Sequence, residues 1–157
     1  MTTGVGIHAT ASAAMLEVKE ALLSVFQTAL DGQAVDVRIG FVWPSQHPDE
    51  VSLTRLRYVP ADATVSTNRR RQGQVSVDVE IWAYRVTADE RVTHSAAFGI
   101  LEDLEAAVMS DPTLGGKALW CFVGETDSDG ITTGDELGQG RATGIVATFE
   151  AQVIVSK

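Results

Sequence analysis

Residues 87–125 read TADERVTHSAAFGILEDLEAAVMSDPTLGGKALWCFVGE, and Pro112 within them constrains the whole chain. A proline interrupts a helix, because it has no amide to donate and drives its predecessor, here Asp111, out of helical geometry. The apolar residues Ala97, Ile100, Leu101, Leu104 and Val108 form the one-sided stripe of an amphipathic helix that must therefore stop at this point. Glu102, Asp103 and Glu105 fall off the stripe, toward water. Thr87 and Glu90 have the spacing of a capping box, which places the start of the helix. Gly115 and Gly116 allow the chain to reverse at low steric cost. The segment Ala118–Val123 is short, apolar and aromatic, and predicts a buried strand.

The rest of the chain alternates between the same two periods. Met1–Ala9 lacks a pattern and is expected to be flexible. From Ala11, the residues Ala14, Met15, Val18, Leu22, Val25, Phe26 and Ala29 step along one helical face. Thr10 or Ser12 is placed to cap this helix, and Gly32 stands where it should end. Leu16, Leu23 and Leu30 broaden the apolar face, so a sheet or a neighbouring subunit is expected to cover the extra side. Val35–Trp43 alternates apolar and polar residues up to Pro44. Ser45–Glu50 is a loop, Val51–Val59 a second strand stopped by Pro60, and 60–68 a loop leading into Arg69, Arg70 and Arg71.

Gln74–Tyr84 is the clearest strand, with Val75, Val77, Val79, Ile81 and Ala83 on one face. Trp82 and Tyr84 then share the other face with acids. Either they anchor a protein contact, a role for which Trp and Tyr are favoured, or the second helix covers them. Glu125–Gln139 is an acidic, glycine-rich loop. Arg141–Ser156 is a long closing strand with Ile145, Phe149, Val153 and Val155 on one side and Thr148, Glu150 and Gln152 on the other. The order α-β-β-β-α-β-β predicts an α+β fold: a mainly antiparallel sheet of about four to five strands with the helices packed on one face. No linker or internal repeat divides residues 1–157, so one domain is expected.

Composition narrows the chemistry. A chain of 157 residues, 45% hydrophobic and 21% charged, has the makings of a packed core. No apolar run approaches the ~20 residues of a membrane helix, and no secretory signal is expected. The single cysteine, Cys121, excludes an intrachain disulfide and a paired-cysteine metal site. It also points to a reducing compartment, and between Trp120 and Phe122 an inert, packed thiol is expected. The net charge of −9 opposes tight wrapping of nucleic acid.

His8, His47 and His94 are dispersed and form no zinc pattern, and no nucleophile elbow is present. Asp127-Ser-Asp129-Gly130 starts like a calcium loop, but its glycine comes too early and Gly138 stands where a bidentate glutamate is needed. Gly138, Gly140 and Gly144 precede a strand, so they do not make a dinucleotide fingerprint. These patterns predict no catalytic residue, no metal ligand and no cofactor. The run Arg69–Arg71 is the one concentrated basic feature. In so acidic a chain it is better suited to a subunit's acids than to phosphates.

Three stretches together resemble a known family: the arginine run before a strand ending VDVEIWAY, the helix closing on DPTLGG, and the terminal RATGIVATFEAQVIV. The family is that of the tail terminators of long-tailed phages, which also occur in prophages and phage-like particles. The likeness covers Arg69 to the end best; the first helix and the strands near 35–59 follow the family's order but not its letters. Neighbouring neck proteins look similar, and a second reading is another head-to-tail neck component. A third, from a different class, is a monomeric α+β module binding a small ligand or peptide.

The terminator resemblance implies a ring, typically of six subunits, on the end of the tail tube. Such a ring stops polymerisation and presents a surface to the head. Its implied partners are further copies of itself, the major tail tube protein and a head-completion or neck protein, with DNA passing through without specific binding and no membrane involved. Its implied place is the tail–head junction of the virion, and the host cytoplasm during assembly. A cyclic ring uses two different patches on each subunit. The candidates are Arg69, Arg70 and Arg71 against Asp127, Asp129, Asp135 and Glu136, with Trp82 or Tyr84 as anchors. Six copies at −9 total about −54, a balance that disfavours adhesion to passing DNA.

Overall fold

In a computed structural model of the chain, the described residues are 4–40, 47–61, 71–86, 89–128, 133–134 and 140–156. Among these residues the elements are, in order, β1 (Ile7–His8), α1 (Ala11–Ala29), β2 (Val35–Ile39), β3 (Asp49–Pro60), β4 (Arg71–Arg85), α2 (Glu90–Ser110), β5 (Trp120–Ser128), β6 (Thr133–Gly134) and β7 (Arg141–Val155).

The closing strand is the spine. Along one edge β7 pairs antiparallel with β4 from Arg141 opposite Arg85 to Val155 opposite Arg71. Its other edge is shared end to end by β6 at Arg141–Ala142, by β5 between Ile145 and Gln152, and by β1 at Ile154–Val155. Beyond β4 come β3, antiparallel, and then β2, which runs parallel to β3.

The expectation of a mainly antiparallel sheet of four to five strands is therefore overturned. Among the described residues the sheet is mixed and has seven strands, with parallel pairs at β1–β7 and β2–β3. Alternation along a strand reports which face is buried, not the direction of its neighbour. The two-residue β1 and β6 are too short to show a period at all.

The expected aliphatic faces make one core. Val75, Val77, Val79, Ile81 and Ala83 of β4 and Ile145, Ala147, Phe149, Ala151 and Val153 of β7 pack with α1 through Ala14, Val18, Leu22 and Phe26. The α2 stripe, Ala97, Ile100, Leu101, Leu104 and Val108, joins the same cluster. The rings of Phe26 and Phe149 meet edge to face at 5.1 Å, tying α1 to the spine. Of the off-stripe leucines of the first helical segment, Leu30 is buried, Leu23 is partly buried and Leu16 is exposed.

Helix ends follow capping chemistry. Thr10 Oγ1 accepts the Ala13 N–H at 3.1 Å, as its position predicts. At α2 the cap is Asp89, which accepts the Arg91 N–H at 3.0 Å, in place of the expected Thr87–Glu90 box. Glu90 is already helical, and Thr87 lies outside the described residues. The same amide holds the Asp89 carboxyl below the usual carboxylate range. α2 stops at Asp111 before Pro112 as expected. The Asp111 carboxylate accepts the Gly115 N–H at 2.9 Å and the Thr113 hydroxyl at 3.1 Å. Leu114, Gly115 and Gly116 then take φ of 52°, 67° and 91°, a left-handed run that the glycines permit.

Within Met1–Ala9, where a flexible end is expected, residues 4–9 are described. Residues 1–3 lie outside the described part, but Ile7 and His8 form a strand and the His8 ring is buried. Its Nε2 donates to the Lys117 carbonyl at 2.7 Å, and its Nδ1 lies 2.5 Å from Glu17 Oε2. One imidazole thus joins β1, α1 and the turn after α2. Sequence spacing gave no sign of this, since its partners lie 9 and 109 residues away.

Candidate interaction surface

Burying one face of the sheet under the helices leaves the other face open. On β4 and β7 that outer face carries Gln74, Ser76, Asp78, Glu80, Trp82 and Tyr84 beside Gln152, Glu150, Thr148, Val146, Gly144 and Ala142. It is held by short polar contacts. Thr148 Oγ1 donates to Asp78 Oδ1 at 2.8 Å, and Arg38 on β2 reaches Asp36 at 3.3 Å and Glu50 at 3.5 Å.

Trp82 and Tyr84 lie here, so the second helix does not cover them. Each aromatic ring instead rests over a glycine. Trp82 pairs directly with Gly144, where a Cβ would lie 2.6 Å from the indole. Tyr84 covers Gly140, where a Cβ would lie 2.0 Å from the phenol oxygen. A missing side chain on one strand thus seats a large ring from its neighbour. Gly144→Ala is expected to displace Trp82 into solvent and red-shift its fluorescence. The ring's far end is free to move, so stability should fall by less than ~1 kcal/mol. Unshifted emission would refute the seating.

A second aromatic feature escaped the sequence reading. The segment Ala118–Val123 was expected to be a buried strand, yet β5 begins at Trp120 and is buried on one side only. Cys121 points into the core, while Trp120 (43% exposed) and Phe122 (38%) stack on the outer face, ring centroids 4.7 Å apart. The signal was the W-C-F alternation, hidden because all three residues are apolar.

Burial and a lack of solvation push the Cys121 thiol up to about 12. Relative to an unfolded thiol the native thiolate fraction near pH 8 is then smaller by roughly a thousandfold. A disulfide reagent should label Cys121 only at the rate of unfolding, and rapid labelling of the folded chain would contradict the placement.

Of the residues in the expected charged patches, Arg71 and Asp127 are among those described. Arg71 opens β4 opposite Val155, whereas Asp127 sits opposite Val146, so at ~3.3 Å per residue they are about 30 Å apart in one chain. Asp127 is nearer Trp82, whose strand partner is Gly144. Arg69, Arg70, Asp129, Asp135 and Glu136 lie outside the described residues.

Among the described residues, two of the clefts lie against α2. One, of about 550 Å³, holds the Asp49–Arg85 pair, in which Arg85 Nη2 meets Asp49 Oδ2 at 2.9 Å and Nη1 meets Oδ1. That hydrogen-bonded pairing raises the Arg85 pKa and occupies the guanidinium, which also donates to the Tyr84 carbonyl. The pair clamps the start of β3 to the end of β4. The other cleft, about 340 Å³, is a shallow apolar groove between Val25 and Ala29 of α1 and Ala107 of α2. Among the described residues no three His, Cys, Asp or Glu side chains converge to hold a metal, and no helix is long and apolar enough to cross a membrane.

Together, a mixed sheet built on its C-terminal strand, helices on one face and an open, aromatic-studded other face define the fold class. No family model matches the sequence, and no curated protein matches it. A solved chain described as "Virion of native gene transfer agent (GTA) particle" has a similar fold, with a TM-score of 0.53 and 12% identity, over 86% of this chain and 94% of that one.

Proposed function

We propose that this chain is a structural subunit of a phage-like particle and, within it, the tail terminator. In this reading it forms a ring, typically of six copies, on the end of the tail tube, ends tube polymerisation and presents the surface that joins the head. The observation that carries the proposal is the shared fold with a chain of a gene transfer agent virion, a likeness that spans nearly all of that chain. The tail-terminator role rests on the resemblance carried by DPTLGG and the terminal strand. In this reading the chain carries out no reaction. Its partners are further copies of itself, the tube protein and a neck protein, and DNA passes through without specific binding.

The test is where the protein goes. Purified chain should assemble into a ring-sized species at high concentration, or on added tubes, by sedimentation velocity. Immunogold labelling should mark the tube end of head-free tails. Labelling of the portal on tail-free heads would assign another neck position instead. A monomer at every concentration that never binds tubes would refute the proposal.

A further inference from the structure

The open face of the sheet carries two acids that form no ion pair among the described residues, Glu80 and Asp127. Glu80 alternates with the buried Val79 and Ile81, so it points away from the helices. Its partner on β7 is Val146, and the partner of Val146 on β5 is Asp127. Directly opposed residues share a face, so the three make one row, with the two acids about 10 Å apart on either side of the valine. Trp82 follows on the same face of β4. Val146 is 39% exposed and Trp82 38%, so the row and the indole beside it are open to a partner.

An arginine suits this patch. Its aliphatic stem can lie on Val146 while the guanidinium donates to a carboxylate and faces the indole. The arginines at this end of the sheet are already engaged, Arg38 by Asp36 and Glu50, and Arg85 by Asp49. The concentrated basic run of the chain, Arg69–Arg71, enters β4 at its other end, and Arg71 is exposed without an ion pair among the described residues. Glu80 lies so far along the same strand that, at ~3.3 Å per residue, Arg71 is about 30 Å from it. That is beyond the reach of any side chain, so the run of one copy meets these acids only on another copy.

Resting on the ring reading above, we propose that the row Glu80–Val146–Asp127, with Trp82 beside it, receives the arginine run Arg69–Arg71 of the next copy. The contact joins two different patches at opposite ends of β4. Such a heterologous contact leaves each copy one patch for each neighbour, which is what closes a ring. Charge also opposes the alternative pairings. Two copies joined through like patches would set acid against acid or arginine against arginine, so a two-fold dimer through either patch is disfavoured.

Charge exchange tests the contact. One variant carries Arg69→Glu, Arg70→Glu and Arg71→Glu; a second carries Glu80→Lys and Asp127→Lys. Each alone should need roughly a hundredfold more protein than the parent to assemble, by sedimentation velocity, because like charges then meet at every joint. Mixed in equal amounts, the two should assemble again in rings of alternating copies, since each patch then finds its opposite. A chain with all five changes should assemble by itself. Recovery on mixing also shows that both variants are folded. Undiminished assembly of either variant alone, or a mixture that does not recover, overturns this inference and leaves the ring reading standing. The absence of any assembled species of the parent chain, with or without tubes, overturns both.

Discussion

Phe149→Ala should lower the unfolding free energy by about 3–5 kcal/mol, the range for removing a fully buried phenylalanine. Phe149 sits at the middle of the spine strand with no exposure, paired to Val77 on β4 and Val123 on β5 and capped edge-on by Phe26 of α1. Collapse into the space is resisted because β7 is paired along both edges at this level and α1 is also seated on the core through Ala14, Val18 and Leu22. For a chain of this size the loss corresponds to a fall in melting temperature of roughly 10 °C. Phe26→Ala should cost a similar amount. The double variant should fall short of the sum by about 0.5–1.5 kcal/mol, the worth of the ring pair. Phe98, on the exposed side of α2, gives the contrast: Phe98→Ala should stay within about 0.5 kcal/mol of the parent. Urea unfolding of the parent and the four variants checks this. A Phe149→Ala loss below ~1.5 kcal/mol would mean the helical layer is not seated as described.

That core was legible in the sequence for a physical reason. Val75 to Ala83 alternate without a break, and Ala14, Val18, Leu22 and Phe26 repeat at the helical period, so burial left its mark locally. What was missed depends on partners distant in the chain. The parallel sense of β2 and β1 is set by register with β3 and β7, and no local pattern records it. The glycines at 140 and 144 are seats for Tyr84 and Trp82, a role visible only across the strand pair. At the candidate surface, the outward placing of Trp82 and Tyr84 could be read from their alternation with aliphatics. That of Trp120 and Phe122 could not, since Cys121 between them is apolar too. The partner of that surface is a matter for assembly, which one chain's periodicities do not encode.

Gly6→Ala should be nearly as costly as the core variant, about 3–4 kcal/mol, although it adds only one methyl group. Gly6 takes φ of +69°, and a Cβ there would lie 2.6 Å from the Leu119 amide nitrogen and 2.9 Å from the Ala118 carbonyl carbon. Backbone cannot swing aside as a side chain can. The left-handed conformation alone costs an alanine about 1–2 kcal/mol. The clash then separates β1 from its dock, losing the bonds from the Ile154 N–H to the Gly6 carbonyl at 2.7 Å and from the Ser156 N–H to the His8 carbonyl at 2.8 Å. Each such bond is worth ~1 kcal/mol net.

Gly32→Ala separates the two terms, because Gly32 has φ of +81° but nothing within 4 Å of a new Cβ. It should cost only the backbone share, so Gly6→Ala should exceed it by about 2 kcal/mol. Amide exchange at Ile154 and Ser156 should accelerate in the Gly6 variant and not in the Gly32 one. Equal losses in the two variants, with Ile154 still protected, would mean that β1 yields freely. The His8 contact to Lys117 would then not hold the N-terminal strand against the spine, and the β7 edge beside β5 would be open where the structure closes it.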